Sequence, residues 1–142
     1  MKIVVVAEGK LKEAAYRALR DDYLGRLAHY CPVEEKEVGS ADKLERAIPD
    51  GAWVVALEVL GKSPTSLDLA RYVAHWSTRG KGVIAFIIGG AEGIPKALSA
   101  RADFQLSLSQ LTLPHRLARI VLLEQLYRAM SINNNEPYAR EG

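Results

Sequence analysis

The sequence predicts a single α/β domain centred on a parallel sheet, and three observations carry that expectation. Short β-type runs alternate with helical stretches along the 142 residues, the order that builds strand–helix–strand units. Two of the runs, AWVVALE (52–58) and GVIAFII (82–88), are almost continuously apolar, as strands covered on both faces must be. The length fits one domain able to bury its own core, and no linker, repeat or low-complexity tract marks a second.

Residues 2–7 open the pattern as the first strand, followed by a helix over 11–29 whose apolar stripe is Leu11, Ala15, Ala18, Leu19 and Leu27. Residues 33–38 form the second strand, and Ser40 stands where a cap would precede a helix in ADKLERAI. The two apolar runs, the third and fourth strands, should form the middle of the sheet. Between them, SPTSLDLARYVAHW offers Ser and Thr caps before a periodic run. Pro95 suits the first turn of the helix after the fourth strand. A fifth strand is expected over 103–108 and a last helix over 115–131. That helix is apolar over a wide arc: Leu117, Ala118, Ile120, Val121, Leu122, Leu123, Leu126 and Met130. Covering one face of a small sheet would leave part of it unused, which predicts a second partner surface and a homodimer.

Composition narrows the function classes. No apolar run approaches the roughly 18 residues of a membrane span, and the N-terminus lacks the pattern of a signal peptide. A cytoplasmic protein with no membrane partner is expected. Cys31 is the single cysteine, and His29, His75 and His115 are scattered without zinc spacing, so neither a disulfide nor a metal is expected. A net charge of +2 argues against non-specific coating of nucleic acid and leaves room for a local basic site. Every basic residue after Lys96 is arginine, namely Arg101, Arg116, Arg119, Arg128 and Arg140, and the planar guanidinium fork suits phosphate or carboxylate.

In open parallel sheets the ligand crevice lies beyond the carboxyl ends of the strands. Three such ends are distinctive here. The third strand runs out through Leu57 and Glu58 into LGKS, the fourth ends in IIGGAEGIP, and the fifth in LSLSQLTLPH. If these strands are neighbours, their tips converge on one pocket. Gly89, Gly90 and Gly93 lack the G-x-G-x-x-G spacing and no Walker lysine follows, which excludes those nucleotide sites. Adjacent glycines would let backbone approach a ligand closely, or simply make a tight strand-to-helix turn. No G-x-S-x-G elbow surrounds the serines, so a hydrolase is discounted. His115, at the start of the last helix, is placed to act as a base or hydrogen-bonding group.

Taken together and in order, IIGGAEGIP, LSLSQLTLPH, EQLYRA and PYAREG resemble the ribosomal large-subunit pseudouridine N3-methyltransferases, a small branch of the SPOUT superfamily. The likeness spans nearly the whole chain and is strongest over 86–141; GKLKEAAY and LEVLGKS echo it more loosely. The resemblance implies one domain over residues 1–142, a parallel-sheet-centred α/β fold with a C-terminal trefoil knot, and a homodimer. It further implies methyl transfer from S-adenosylmethionine to N3 of a pseudouridine in 23S ribosomal RNA. By motif matching, the cofactor contacts fall on Leu57, Gly89, Leu108, Ser109, Gln110, Leu111, Thr112 and Leu113. Glycine at 89 would leave room for a bent cofactor. His115, Arg128, Tyr138 and Arg140 are implied as the catalytic, substrate-side residues. Two positions depart from the pattern: Ala139 stands where many members carry histidine, so no catalytic tail histidine carries over, and Glu58 replaces a common aspartate. Alternatives are a knotted methyltransferase acting on transfer RNA or a non-catalytic cofactor- and ribosome-binding module. The N-x-G-x-x-x-R pattern of ribose methyltransferases is absent. Modest charge and the lack of a separate RNA-binding domain favour an assembled ribosome over naked RNA. The tail after Ser131 is too short to build its own core, and it is expected to cross to the pocket of the second copy.

Overall fold

Residues 1–140 are described by a computed structural model; the last two residues of PYAREG lie outside the described residues. Five strands, β1 (Lys2–Glu8), β2 (Val33–Val38), β3 (Trp53–Lys62), β4 (Val83–Ile88) and β5 (Phe104–Leu106), form an all-parallel sheet in the order β2-β1-β4-β3-β5. The apolar run GVIAFII is therefore the central strand and AWVVALE lies beside it. Period-2 alternation divides their side chains between two cores. Ile3, Val5, Val55 and Phe86 face one side, and Val4, Val6, Val54, Ala56 and Ile87 the other.

Helices α1 (Ala14–Leu27), α2 (Ser66–Trp76) and α4 (His115–Asn133) cover the first side. The second side is covered by α3 (Lys96–Arg101) and by two short 3₁₀ turns, Ala41–Lys43 and Glu45–Ala47. Thr65 caps α2 as expected, its hydroxyl accepting from the Asp68 N–H at 3.0 Å. The helix expected after Ser40 is replaced by the 3₁₀ turns: the segment is short, Pro49 closes it, and Leu44, wholly buried, is its anchor. α1 begins three residues later than its apolar stripe. Gly9, with φ of +89°, turns the chain out of β1, and the Leu11 N–H is tied to Glu37 Oε2 at 3.1 Å.

β5 is shorter than the Leu-Ser alternation predicts. The Ser107 hydroxyl donates to the Ser109 carbonyl, and the Ser109 hydroxyl accepts from the Leu111 N–H, both at 2.9 Å. The serines staple a loop that leaves the sheet. The wide apolar arc of α4 is also explained within the chain. Leu122, Leu123 and Leu126 are wholly buried in the same core as α1 and α2, between which α4 packs, so the arc is not evidence for a dimer.

α4 is fixed to the sheet by a buried charge cluster. Arg119 is 2% exposed. Its Nη1 lies 2.6 Å from Glu37 Oε2 and 3.5 Å from Glu35 Oε1, and its Nη2 donates to the Gly9 carbonyl at 2.8 Å. Arg20 also reaches Glu35, at 3.1 Å. Burial pushes the Glu35 carboxyl above the usual glutamate range, although Arg119 and Arg20 oppose it. At Glu37 burial acts the same way, but the Arg119 hydrogen bond and the Leu11 N–H outweigh it and hold the carboxyl low.

Removing the guanidinium should leave the Glu35 and Glu37 carboxylates with Arg20 as the one cation they still share, at 3.1 and 3.6 Å. Arg119→Ala is expected to lose about 3–5 kcal/mol in urea unfolding at neutral pH. Without Arg119 the Glu35 pKa rises further, so the folded variant gains protons relative to the unfolded chain as the pH is lowered. The deficit should therefore shrink as the pH falls from 7 toward about 4.3, the ordinary glutamate value.

Candidate active site

The carboxyl ends of β4, β3 and β5 do converge. They enclose a cavity of about 300 Å³, at the lower end of the roughly 300–1,000 Å³ usual for small-molecule sites. β3 contributes Leu57, Glu58 and Val59, β4 contributes Ile88, and the following turn contributes Gly89 and Gly90. The opposite wall is Leu106 to Ser109 with Leu111 and Leu113, and α4 closes one side with His115 and Ala118.

The turn after β4 is held by the chain itself. A Cβ on Gly89 would stand 2.5 Å from the Gly93 carbonyl carbon and 2.7 Å from the Ile94 nitrogen. The nearest atoms that forbid a side chain are thus backbone, so the turn requires this glycine independently of any room for a ligand. The Gly90 N–H donates to Glu8 Oε1 at 3.2 Å, tying the turn to the tip of β1. Glu8 was not legible as a site residue in sequence; an acid ending an apolar strand next to the central one is the only signal it gives.

The extended loop after β5 alternates in its exposure to the cavity. Ser107, Ser109, Leu111 and Leu113 line it together with Leu108, whereas Gln110 and Thr112 point outward and are exposed. Six of the eight residues proposed for the cofactor therefore lie on the cavity wall: Leu57, Gly89, Leu108, Ser109, Leu111 and Leu113. Leu111 is 76% exposed, so it forms a rim rather than a floor. Among the lining residues the ionisable ones are Glu58 and His115; no lysine or arginine is present. Such a wall is poorly suited to phosphate and suits an uncharged or cationic ligand with a large apolar part.

The remaining substrate-side residues lie elsewhere. Arg128 is 13 residues beyond His115 on α4, about 20 Å along the axis at 1.5 Å per residue. Beyond α4 the tail forms a 3₁₀ turn, Pro137–Arg140, packed on that same far end. Tyr138 meets Tyr127 edge-on with ring centroids 4.6 Å apart, and Arg128 lies 5.2 Å from the centre of the Tyr138 ring. The Ser131 hydroxyl donates to the Glu136 carbonyl at 3.2 Å. Burial, followed by the Glu136 carboxylate, pushes the Tyr30 hydroxyl up to about 12. Arg140 is exposed. The structure thus brings His115 to the cavity and places Arg128 and Tyr138 together at the far end of α4, with Arg140 exposed at the end of the tail's 3₁₀ turn.

The fold has a counterpart among solved structures. A structure from Bordetella pertussis described as a probable methyltransferase matches with a TM-score of 0.56 at 12% identity, covering 91% of this chain and 95% of that one. Residues 1–139 match the family described as predicted SPOUT methyltransferases, and the chain belongs to that family. Relatives named Ribosomal RNA large subunit methyltransferase H include one from Sorangium cellulosum, 49% identical, covering 98% of this chain and 99% of the relative. A second, from Roseobacter denitrificans, is 41% identical and covers 99% of each.

The two adjacent glycines should respond differently to a methyl group. Gly89→Ala must displace the backbone of 93–94, whereas a Cβ on Gly90 meets the carboxylate end of Glu8 at 2.9 Å, which can swing aside. Calorimetric titration with S-adenosylmethionine is expected to show at least about a tenfold loss for Gly89→Ala and a smaller one for Gly90→Ala. Equal affinity in Gly89→Ala and the unaltered protein would separate the turn from the ligand site.

Proposed function

We propose that this protein uses S-adenosylmethionine to methylate N3 of a pseudouridine in 23S ribosomal RNA, working as a homodimer in the cytoplasm on the assembled ribosome. The observation that carries the cofactor is the cavity wall: five leucines, glycine backbone and one carboxylate, with no lysine or arginine among the lining side chains. An adenine fits against Leu108, Leu111 and Leu113, and Glu58 suits the positive charge of a sulfonium or ammonium group. The names of the relatives support ribosomal RNA of the large subunit as the substrate. The C-terminal knot belongs to the same reading. It is supported by the order β4-β3-β5, which takes the chain out beyond β3 before α4 returns across the sheet.

When bound, S-adenosylmethionine supplies a sulfonium methyl group for in-line transfer to nitrogen. The residues of the chain then have two tasks, positioning the base and managing its N3 proton. His115, half-buried at the cavity edge, can accept a proton from the base or hydrogen-bond it, leaving Glu58 to face the positive charge of the cofactor. Arg128, Tyr138 and Arg140 form the substrate half of the site. Because they lie about 20 Å along α4 from the pocket of their own chain, they serve the pocket of the second copy. Arg140 reaches the RNA phosphate or the base, and a charge-assisted contact of this kind contributes about 2 kcal/mol. Ala139 leaves no imidazole on the tail.

Methyl transfer from labelled S-adenosylmethionine to ribosomes lacking the modification tests the reading. Mass spectrometry of the 23S RNA should find one pseudouridine heavier by a methyl group, and truncation after Asn135 should suppress its formation by at least about a hundredfold with cofactor affinity little changed. Methylation of transfer RNA alone would assign another SPOUT substrate. Cofactor binding without transfer to ribosomes, subunits or transfer RNA would make the protein a binding module.

A further inference from the structure

The cluster at the far end of α4 is organised around one carboxylate. Glu124 Oε2 accepts from Arg128 Nε at 3.1 Å and Nη2 at 2.8 Å, and from the Tyr138 hydroxyl at 2.8 Å. Glu124 Oε1 accepts from Gln125 Nε2 at 2.7 Å, and Gln125 Oε1 accepts from the Ser66 hydroxyl at 2.6 Å. Glu124 is thereby fixed from the α2 side while it holds a cation on α4 and a phenol on the tail. An exposed ion pair four residues apart contributes little. This one is partly buried, with side chains 22% and 19% exposed, and its acceptor oxygen is shared with a residue fourteen positions away.

We propose that Glu124 is a positioning residue for methyl transfer: it sets the spacing between the Arg128 guanidinium and the Tyr138 hydroxyl and docks the tail before substrate arrives. The proposal rests on the reading that the tail completes the active site. Tyr138 is the link. Its hydroxyl donates to Glu124 and lies 3.4 Å from the Tyr23 hydroxyl. Burial, then Tyr23 and Glu124, push its ionisation far above the usual tyrosine range. At neutral pH it is consequently a fixed hydrogen-bond donor rather than a base, and its orientation is set by the Glu124 carboxylate that accepts its hydrogen bond. With Tyr138 seated on Tyr127, the Pro137–Arg140 turn that carries Arg140 is held against α4.

Ribosome methylation by variants of the full chain tests this. Glu124→Gln keeps the shape and one acceptor oxygen but turns an N–H₂ group toward Arg128, and Glu124→Ala removes both contacts. The expected result is a kcat about tenfold lower for Glu124→Gln and lower still for Glu124→Ala, with KM and Kd for S-adenosylmethionine and the melting temperature close to those of the unaltered protein. Adding Tyr138→Phe to Glu124→Ala should then cost almost nothing more, because the two residues act through one contact. Unaltered kcat in both Glu124 variants, while truncation after Asn135 abolishes transfer, overturns the role of Glu124 and leaves the tail reading standing. Multiplicative losses in the double variant, or a parallel loss of cofactor affinity, also overturn it. Full transfer by the truncated chain overturns the tail reading itself.

Discussion

Arg119 joins the parts of the molecule on which the site depends. Its guanidinium is buried between an edge strand, the tip of β1 and α4, where Nη1 and Nη2 are held by Glu37 and the Gly9 carbonyl with Glu35 nearby, while Nε has no partner among the described residues. Burying such a cluster need not stabilise a protein more than apolar packing would. Its geometric consequence is what matters. Arg119 lies one turn beyond His115, so anchoring it fixes the rotation of α4 that turns His115 and Ala118 toward the cavity. The same β1 tip holds the opposite wall through Glu8 and Gly90. Glu8 and Gly9, adjacent in sequence, thus tie down both the glycine turn and the helix that together frame the pocket.

Beyond that anchor α4 is a spacer. Its central leucines are consumed by contact with the sheet, α1 and α2, and its far end carries the arginine and tyrosine cluster. A rigid helix of this length separates the cavity from the tail by much more than the reach of any side chain. For the tail to share a reaction with a pocket of this kind, the pocket must belong to another copy. Within the family to which the chain belongs, this separation is the physical reason for reading the active site as composite.

Much of the fold was legible in sequence because burial on both faces leaves a plain mark: AWVVALE and GVIAFII read as middle strands, and the Ser and Thr caps of SPTSLDLARYVAHW marked the start of α2, where Thr65 is the one that caps. The convergence of the third, fourth and fifth strand ends was legible from where the apolar runs stopped. Other features misled because one pattern has two causes. The Leu-Ser alternation of 106–109 has strand period, yet it arises from serine hydroxyls bonding loop backbone while leucines face a cavity. Gly89 lines the cavity as its motif implied, and sequence does not show that Gly93–Ile94 also requires a glycine there. The arc of α4 looked like an interface because sequence does not show that two helices flank it. Glu8 and Glu124 were missed for a different reason. Each acts through a partner distant in sequence, although Glu124 and Arg128, spaced four apart, were open to recognition as a helical ion pair.

The composite site is the central claim, and subunit complementation tests it most directly. One copy carries Gly89→Val, which spoils the pocket, and the other ends at Asn135, which removes the tail; each alone should be inactive on ribosomes. Mixed and purified as differently tagged heterodimers, they should regain one working site from the intact pocket of one chain and the intact tail of the other, about half the activity of the unaltered dimer. Heterodimers that form and remain inactive would contradict the account.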